Sequence, residues 1–545
     1  MRVEKLLTDH IDIWSSALQT RSTAGRGSSG KIDLYGIKKL RELILELAVR
    51  GKLVPQDPND EPASELLKRI AAEKAELVKQ GKIKKQKPLP EISEEEKPFE
   101  LPEGWEWVRL GTVVNVFNGN SISASEKEKK YFKKEGRPFI ATKDVGYGFD
   151  ELDYENGIAI PHGIDTFKVA KKGAVLICAE GGSAGKKCGI SNQEICFGNK
   201  LFANECYIGI ESVYILCNFL SPSFFAQFVS NMTGIIGGIS TSKFNELLIP
   251  LAPEQEQRKI IFRVKELISI CDQLEQQSLI SLDAHQQLVE TLLATLTDSQ
   301  NAEELAENWA RVSQHFDTLF TTEASIDALK QTILQLAVMG LLIENPEFRY
   351  RRSLKNYLSF GPRNGLSPIE VKYKTDIKVL KLGATSYGYL NLQETKWVNI
   401  DINDKPHLRL KKNDILIQRG NSSNFVGCSL LIEKDFNNLI YPDLMMKIRT
   451  RDELLPEYTV LWLSSPFARK YMWSNMTGTS GTMPKISKKV VEELPIAVPD
   501  LVVQHQLVIK TKELFLLCDQ IKSRLQSAQQ TQLHLADALT DAALN

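Results

Sequence analysis

The sequence predicts an α+β protein: two mixed α/β domains separated by long antiparallel coiled-coil helices, in a circular arrangement with pseudo-two-fold symmetry. Four repeated segments carry this. The segment IKKLRELILELAVRGKLV (Ile37 to Val54) recurs as IDALKQTILQLAVMGLLI (Ile326 to Ile343), with nine of 18 positions identical at an offset of 289. KELISICDQLE (Lys265 to Glu275) recurs as KELFLLCDQIK (Lys512 to Lys522) at an offset of 247. NMTG stands at 231–234 and again at 475–478, and KKGAVLICAEGGSAGKKC (Lys171 to Cys188) aligns with KKNDILIQRGNSSNFVGC (Lys411 to Cys428) at an offset of 240. A repeat on this scale organises a fold before any local pattern does.

The elements follow in chain order. Residues 1–35 carry an amphipathic helix over Val3 to Leu18 and a flexible TAGRGSSGK tract, to which no chemistry attaches. Residues 36–54 form a helix that is apolar on one face and stops at Gly51, as its second copy stops at Gly340. The fall in offset from 289 to 247 places extra chain in the first half, and residues 55–100 supply it. They read as a charged helix (Ser64 to Gln80) followed by a Lys/Pro/Glu-rich linker. Within it, KIKKQK reads either as a phosphate-binding strip or as a solvated linker. Residues 101–253 form the first domain, 254–345 the central helices, 346–500 the second domain and 501–545 the last helix. The first long helix has apolar residues at 260, 267, 274 and 288 and at 264, 271 and 292. Its copy has Leu507, Leu514, Ile521, Ala528 and Leu535, with Cys518, Leu525 and Leu539 on the companion row. Both patterns are seven-residue repeats with two rows, a coiled-coil seam. His285 and Gln532 fall on it as polar residues that fix register, a metal or catalytic role being the alternative for His285. The second short helix can lie along the first long one, which leaves the helix at 36–54 to pair with the last.

Composition narrows the function. The 545 residues contain 68 basic and 68 acidic side chains, so the chain is not clothed in basic charge, although a local basic face is compatible with that sum. No apolar run is long enough for a membrane span, and the N-terminus is no signal peptide. The eight cysteines form no CxxC pair and the seven histidines no HExxH, so no metal site and a reducing cytoplasm are expected. VLICAEGGSAGKKC is a near miss to a phosphate loop: a working loop needs glycine at 180 and Ser or Thr at 187, where Glu180 and Lys187 stand. Pro442-Asp443 lacks the acid-x-Lys of a nuclease, and no methyltransferase motif or Ser/His/Asp set is present, so no catalytic residues are assigned.

Both domains are rich in short strands with Gly, Asn and Asp turns. Their loops carry the donors that bind phosphates and base edges. By position and chemistry the DNA-binding candidates are Asn118, Asn120, Lys143, Ser183, Lys186, Lys187, Ser240, Thr241 and Lys243 in the first domain. In the second they are Ser386, Tyr387, Arg419, Asn421, Ser422, Asn424, Lys485, Ser487 and Lys488. Two ordinary surface hairpins are the alternative for the aligned stretches, and a symmetric helical scaffold holding proteins is the alternative for the whole chain.

LPEGWEWVRLG (Leu101 to Gly111), LLIPLAPEQEQRKI (Leu247 to Ile260) and the LAVRGKLV/LAVMGLLI pair give the chain a family likeness. It resembles the specificity subunit of type I restriction–modification enzymes (the HsdS family), in the branch with an N-terminal extension, over nearly its whole length. The second half departs from the pattern. It has no PEGW, only KVLKLG (Lys378 to Gly383) after the second short helix, and Val502-Val503 stand where the first copy has Glu256-Gln257. The resemblance implies a non-catalytic chain that binds a two-part site in double-stranded DNA, one half per domain. It also implies two adenine methyltransferase (M) subunits, which bind S-adenosylmethionine, and two restriction/translocase (R) subunits, which use ATP and Mg. No cofactor would sit on this chain.

Overall fold

The computed structural model describes all residues except 1–4, 6–8, 22–30, 165, 235–236, 344–347, 349–350, 478–482 and 545. The helix expected over Val3 to Leu18 and the TAGRGSSGK tract fall partly outside that set. What is described there is a helix, Ile11–Ser16, and the antiparallel pairing of Gln19–Arg21 with Lys31–Asp33. The chain divides into two compact units. One comprises 1–18, 34–278 and 532–545, and the other 19–33 and 279–531.

In the first unit a four-stranded antiparallel sheet has the order Val114–Asn118, Leu201–Cys206, Val175–Cys178, Cys188–Ile190. The strand Val175–Cys178 is buried on both faces, which is why it reads as the unbroken apolar run VLIC rather than as an alternation. A second sheet orders Ala159–Ile160, Arg137–Ile140, Ile195–Phe197 and Val169–Ala170, with Arg137–Ile140 parallel to Ile195–Phe197. The opening strand Glu106–Arg109 pairs with Leu248–Leu251, so the domain begins and ends on the same two-stranded ribbon. Helices Ser212–Leu220 and Pro222–Ser230 pack beneath, divided at Ser221. Its hydroxyl accepts from Phe224 N at 3.3 Å, and Pro222 takes the first helical position, where no N–H is needed.

The second unit repeats this order strand for strand. Leu358–Asn364, Met445–Thr450, Ile415–Gln418 and Ser429–Leu431 form one sheet; Thr395–Val398, Ile377–Leu380, Phe436–Ile440 and Arg409–Leu410 form the other. Arg352–Ser353 pairs with Pro495–Ile496. The register corrects three alignments. KVLKLG is not the counterpart of the first domain's opening: Ile377–Leu380 occupies the place of Arg137–Ile140. The opening corresponds to Arg352–Ser353, since Leu110 N donates to Leu247 O and Leu354 N donates to Leu494 O in the same way. Gln257 has not become valine: Gln504 keeps its bonds, to Leu455 N and Pro499 O where Gln257 holds Glu211 N and Ala252 O, and Val503 stands opposite Glu256. Cys188 pairs with Ile177, but Ile417 pairs with Ser429, so the second loop is one residue longer and Cys428 is the counterpart of Lys187.

Helices Tyr35–Val49 and Glu323–Met339 serve their units alike. In the first unit Arg41 pairs with Asp272 (2.6 Å) and Glu275, and Tyr35 donates to Asp537 of the last helix at 2.7 Å. In the second, Lys330 pairs with Asp519, and Lys522 pairs with Asp327 at 3.0 Å. Glu46 accepts from Ser223 N and Gln335 from Phe467 N, fixing each helix on its domain. The long helices run Glu254–Asp298 and Leu501–Leu544. Their buried row starts as expected, at Ile260, Val264, Leu267 and Cys271, then leaves the seven-residue repeat. Leu288 and Leu535 are exposed, and Val289, Leu293, Leu296 and Ala536 are buried instead. His285 bonds through Nε2 to Thr318 O at 3.0 Å, and Gln532 Oε1 is buried without a hydrogen-bond partner among the described residues.

The segment 55–100 is a helix and a strap. Helix Ala63–Lys79 sinks Ala63, Leu66 and Ile70 into the first domain's core. The chain beyond it is held down by Arg109, which donates to Pro90 O, Glu91 O and the Glu96 carboxylate at 2.9–3.2 Å.

Candidate nucleic-acid interface

The backbone draws the predicted loops of each domain together. In the first, Gly181 N donates to Gly237 O, Ile239 N to Ala179 O, Ala179 N to Lys200 O and Asn199 N to Asn120 O. The turns at 118–120, 180–187, 198–200 and 237–243 therefore share one end of the domain. Lys187 adds the turn after Arg137–Ile140, since its ammonium donates to Thr142 O at 3.1 Å and lies 5.1 Å from the Tyr147 ring centre. In the second domain Arg419 N donates to Leu444 O and Ile486 N to Arg419 O. Gln418 Nε2 reaches Leu382 O, Thr385 Oγ1 and Ser386 Oγ at 2.9–3.0 Å. The turns at 382–387, 419–427, 442–444 and 485–488 thus form the matching cluster.

Within these clusters the predicted residues divide by what already engages them. Asn118 accepts from Lys168 Nζ at 2.7 Å. Asn120 bridges Thr166 O and Lys168 N. Asn421 bridges Gln418 Oε1 and Ser422 N. Ser240 and Ser487 cap short helices, Lys243 pairs with Glu246, and Thr241 O accepts from Asn245. Asn424 O accepts from Arg469 at 2.6 Å. These groups shape the loops. Lys186, Lys488, Lys485 and Tyr387 are exposed, and Lys143 extends from the surface with Asp144 at 3.7 Å. Ser183 and Ser422 are half-buried at the turn tips, and Arg419 is half-buried with Nε lacking a hydrogen-bond partner among the described residues. This second group is free to meet a ligand.

The glycine-rich turn is unsuited to a nucleotide phosphate for a reason beyond Glu180. Its amides are spent internally: Ala184 N on Gly181 O, Gly185 N on Cys178 O, and Lys186 N and Lys187 N on Ser183 O. A phosphate cradle needs those amides free. The thiols are inert as well. Burial pushes Cys188, Cys206 and Cys217 up to about 12, where the nucleophilic thiolate is scarce. Among the described residues no cluster of His, Cys, Asp and Glu has metal-binding geometry, and no single helix is long and apolar enough to cross a membrane.

Sequence reasoning missed Gln418 and Lys168, which position predicted residues. Gln418 had a signal: it is a polar side chain at the end of the buried run ILIQ, and buried amides need partners. Lys168 had none, because its role depends on a fold-back 50 residues away.

The family described as type I restriction modification DNA specificity domain matches residues 102–284 and 363–528. The Escherichia coli proteins named type I restriction enzyme EcoEI specificity subunit and type I restriction enzyme EcoAI specificity subunit are 46% and 44% identical, over 100% of this chain and 100% of each relative. A crystal structure of the HsdS subunit from Thermoanaerobacter tengcongensis aligns with 82% of this chain and 98% of its own at 16% identity and a TM-score of 0.38, too low to bear on the arrangement of the units.

Proposed function

Because this chain belongs to the family of type I restriction enzyme specificity subunits, we propose that each of its two domains reads one half of a bipartite double-stranded DNA target. The observation that supports this is the repeated scaffold with unlike loops. Equivalent strands and backbone bonds hold Ala179 to Lys187 in one domain and Arg419 to Cys428 in the other, with different length and chemistry. One frame bearing two loop sets suits two readers of different sequences. Lys186, Lys187 and Lys143 would meet phosphates or guanine edges. Arg419 and Tyr387 would do so in the second domain, each well-formed base contact giving about 1–3 kcal/mol of discrimination. The remaining predicted residues, Asn118, Asn120, Ser183, Ser240, Thr241, Lys243, Ser386, Asn421, Ser422, Asn424, Lys485, Ser487 and Lys488, hold those loops or add phosphate contacts.

The chain supplies recognition, and catalysis belongs to its partners. Each unit presents the same apolar positions on its long helix: Phe262 and Ile270 in the first, Ile509 and Leu517 in the second, all exposed. Two like patches support recruitment of two methyltransferase subunits carrying S-adenosylmethionine. Two restriction/translocase subunits using ATP and Mg would complete the assembly, in the cytoplasm.

The test is a swap. Replacing residues 101–253 with those of a relative, then mapping methylated adenines in the host genome, should change one half of the recognised site and keep the other. A change in both halves, or in neither, overturns the modular reading.

A further inference from the structure

Beside the first domain's loop cluster lies a cleft of about 960 Å³ that the reading of bases leaves unused. One wall is the edge strand Val114–Asn118 with the turn that carries Lys168, Lys171 and Lys172. The other is the strap, which contributes Lys82, Lys84 and Lys85. All six lysines are exposed. The carboxylates in the cleft are Glu73 and Glu205, and both already accept backbone N–H groups, from Ile208 at 2.7 Å and from Lys171 at 3.1 Å. The strap is held in place. Lys74 donates to Gln86 Oε1 and Gly111 O, Gln86 donates to Asn245 Oδ1 at 3.1 Å, and a Cβ on Gly111 would stand 2.3 Å from Asn245 Oδ1 and 2.6 Å from Gln86 Nε2. The KIKKQK lysines are therefore fixed over the domain rather than carried on a free linker.

We propose that this cleft is a clamp for the DNA sugar–phosphate backbone beside the half-site read by the first domain. The inference rests on the DNA-reading proposal above and extends it. Three observations favour a DNA backbone over an acidic protein segment. Asn118 and Thr241, both in the loop cluster, line the cleft. Lys168 lines the cleft and holds Asn118 by its side chain, joining clamp to reader. The cations stand on two facing walls, as a polyanion that carries regularly spaced charge requires. A strand of five residues spans roughly 17 Å, the length of several backbone phosphates. The clamp is one-sided, because the second half of the sequence has no counterpart of residues 55–100. A chain with equal numbers of acidic and basic residues would thereby hold one half-site more tightly than the other.

The experiment compares the full-length chain with Lys82→Gln/Lys84→Gln/Lys85→Gln by duplex binding across a salt series. The variant should show a log K against log[salt] slope shallower by about two to three, with little change in sequence preference. The triple Lys→Arg variant should keep the wild-type slope. Interference by modified phosphates should weaken beside the half-site that follows a swap of 101–253, and persist beside the other. An unchanged slope with wild-type binding intact overturns the clamp alone, as does equal loss beside both half-sites. A variant that keeps its DNA slope but loses a methyltransferase partner identifies a protein dock and also overturns it. A wild-type chain with no affinity for any duplex overturns the clamp together with the reading it rests on.

Discussion

Glu256 accepts the Trp105 indole N–H at 2.8 Å and the Gln56 amide at 3.1 Å, in a place sealed from water. Through this one carboxylate the PEGW turn, the strap's start and the long helix are joined. The second half has neither the tryptophan nor the acid, and Val503 stands opposite Glu256, so the two departures are one: without the donor, a buried carboxylate would have only its desolvation cost. Glu256→Val in the first half should leave the buried Trp105 indole N–H unpaired, since Gln56 keeps Gly51 O and Val54 O, and lower stability by about 1–3 kcal/mol in denaturant titration, while Glu256→Gln should cost less. Burial raises the Glu256 carboxyl above its ordinary 4.5. A raised folded value means the stabilisation is complete below the unfolded value and is lost as pH rises through the folded one. The wild type should therefore gain on Glu256→Gln as pH falls from neutrality toward 4.5, and a difference that is flat with pH counts against this account. At this scale the sequence was a partial guide. Residue types in the loops could be read from composition, but the matching of Cys188 with Cys428 was a chance identity across an inserted residue. Strand pairing sets the true match, Ser429, and no one-dimensional offset reports it.

Helix existence and order were plain in the repeats; the phase along the helices was not. A strict seven-residue row drifts about 20° per heptad from a straight helix. Over the four heptads from Ile260 to Leu288 that is about 80°, enough to carry Leu288 out of the buried row and bring Val289 in. The row Ile260, Val264, Leu267, Cys271, Val289, Leu293, Leu296 keeps to 3.6 residues per turn. Repeat-equivalent Leu535 and Ala536 show the same exchange, so the shift belongs to the design of both helices. Leu293→Ala should cost about 2–4 kcal/mol of unfolding free energy, since it empties a packed site shared with Ile326, Leu329 and Ile333. Leu288→Ala should stay within about 0.5 kcal/mol. The reverse ranking would restore the heptad register. The strap escaped sequence reading for a related reason. Its Lys/Pro/Glu composition is that of a linker, and tertiary bonds turn it into a fixed element: from the guanidinium of Arg109, 13 to 19 positions away, and from Gln86 to Lys74 and Asn245.

On the scale of the molecule, duplication explains more than the two candidate loop clusters. Exposed apolar side chains recur at equivalent places on the long helices: Phe262 (72% exposed) with Ile509 (56%), and Ile270 with Leu517. A core position explains none of them, and singly each would be unremarkable. Recurring in pairs, with one set in each unit, they fit a partner bound twice. If each patch takes one methyltransferase subunit, Phe262→Asp should lower the number bound from two to one, measured as the mass of the purified assembly, and Ile509→Asp should do the same. The double variant should bind none while keeping its own melting transition, since both side chains face solvent. The losses should be independent because the patches lie on separate units, so a single substitution that removes both copies, or a double variant that still binds two, places the partner elsewhere. DNA discrimination supplies a second readout. A chain holding one methyltransferase should keep the sequence preference of both domains, because Arg419 and Lys186 stand on loops that neither patch touches, while losing the share of affinity that the missing partner's phosphate contacts contribute.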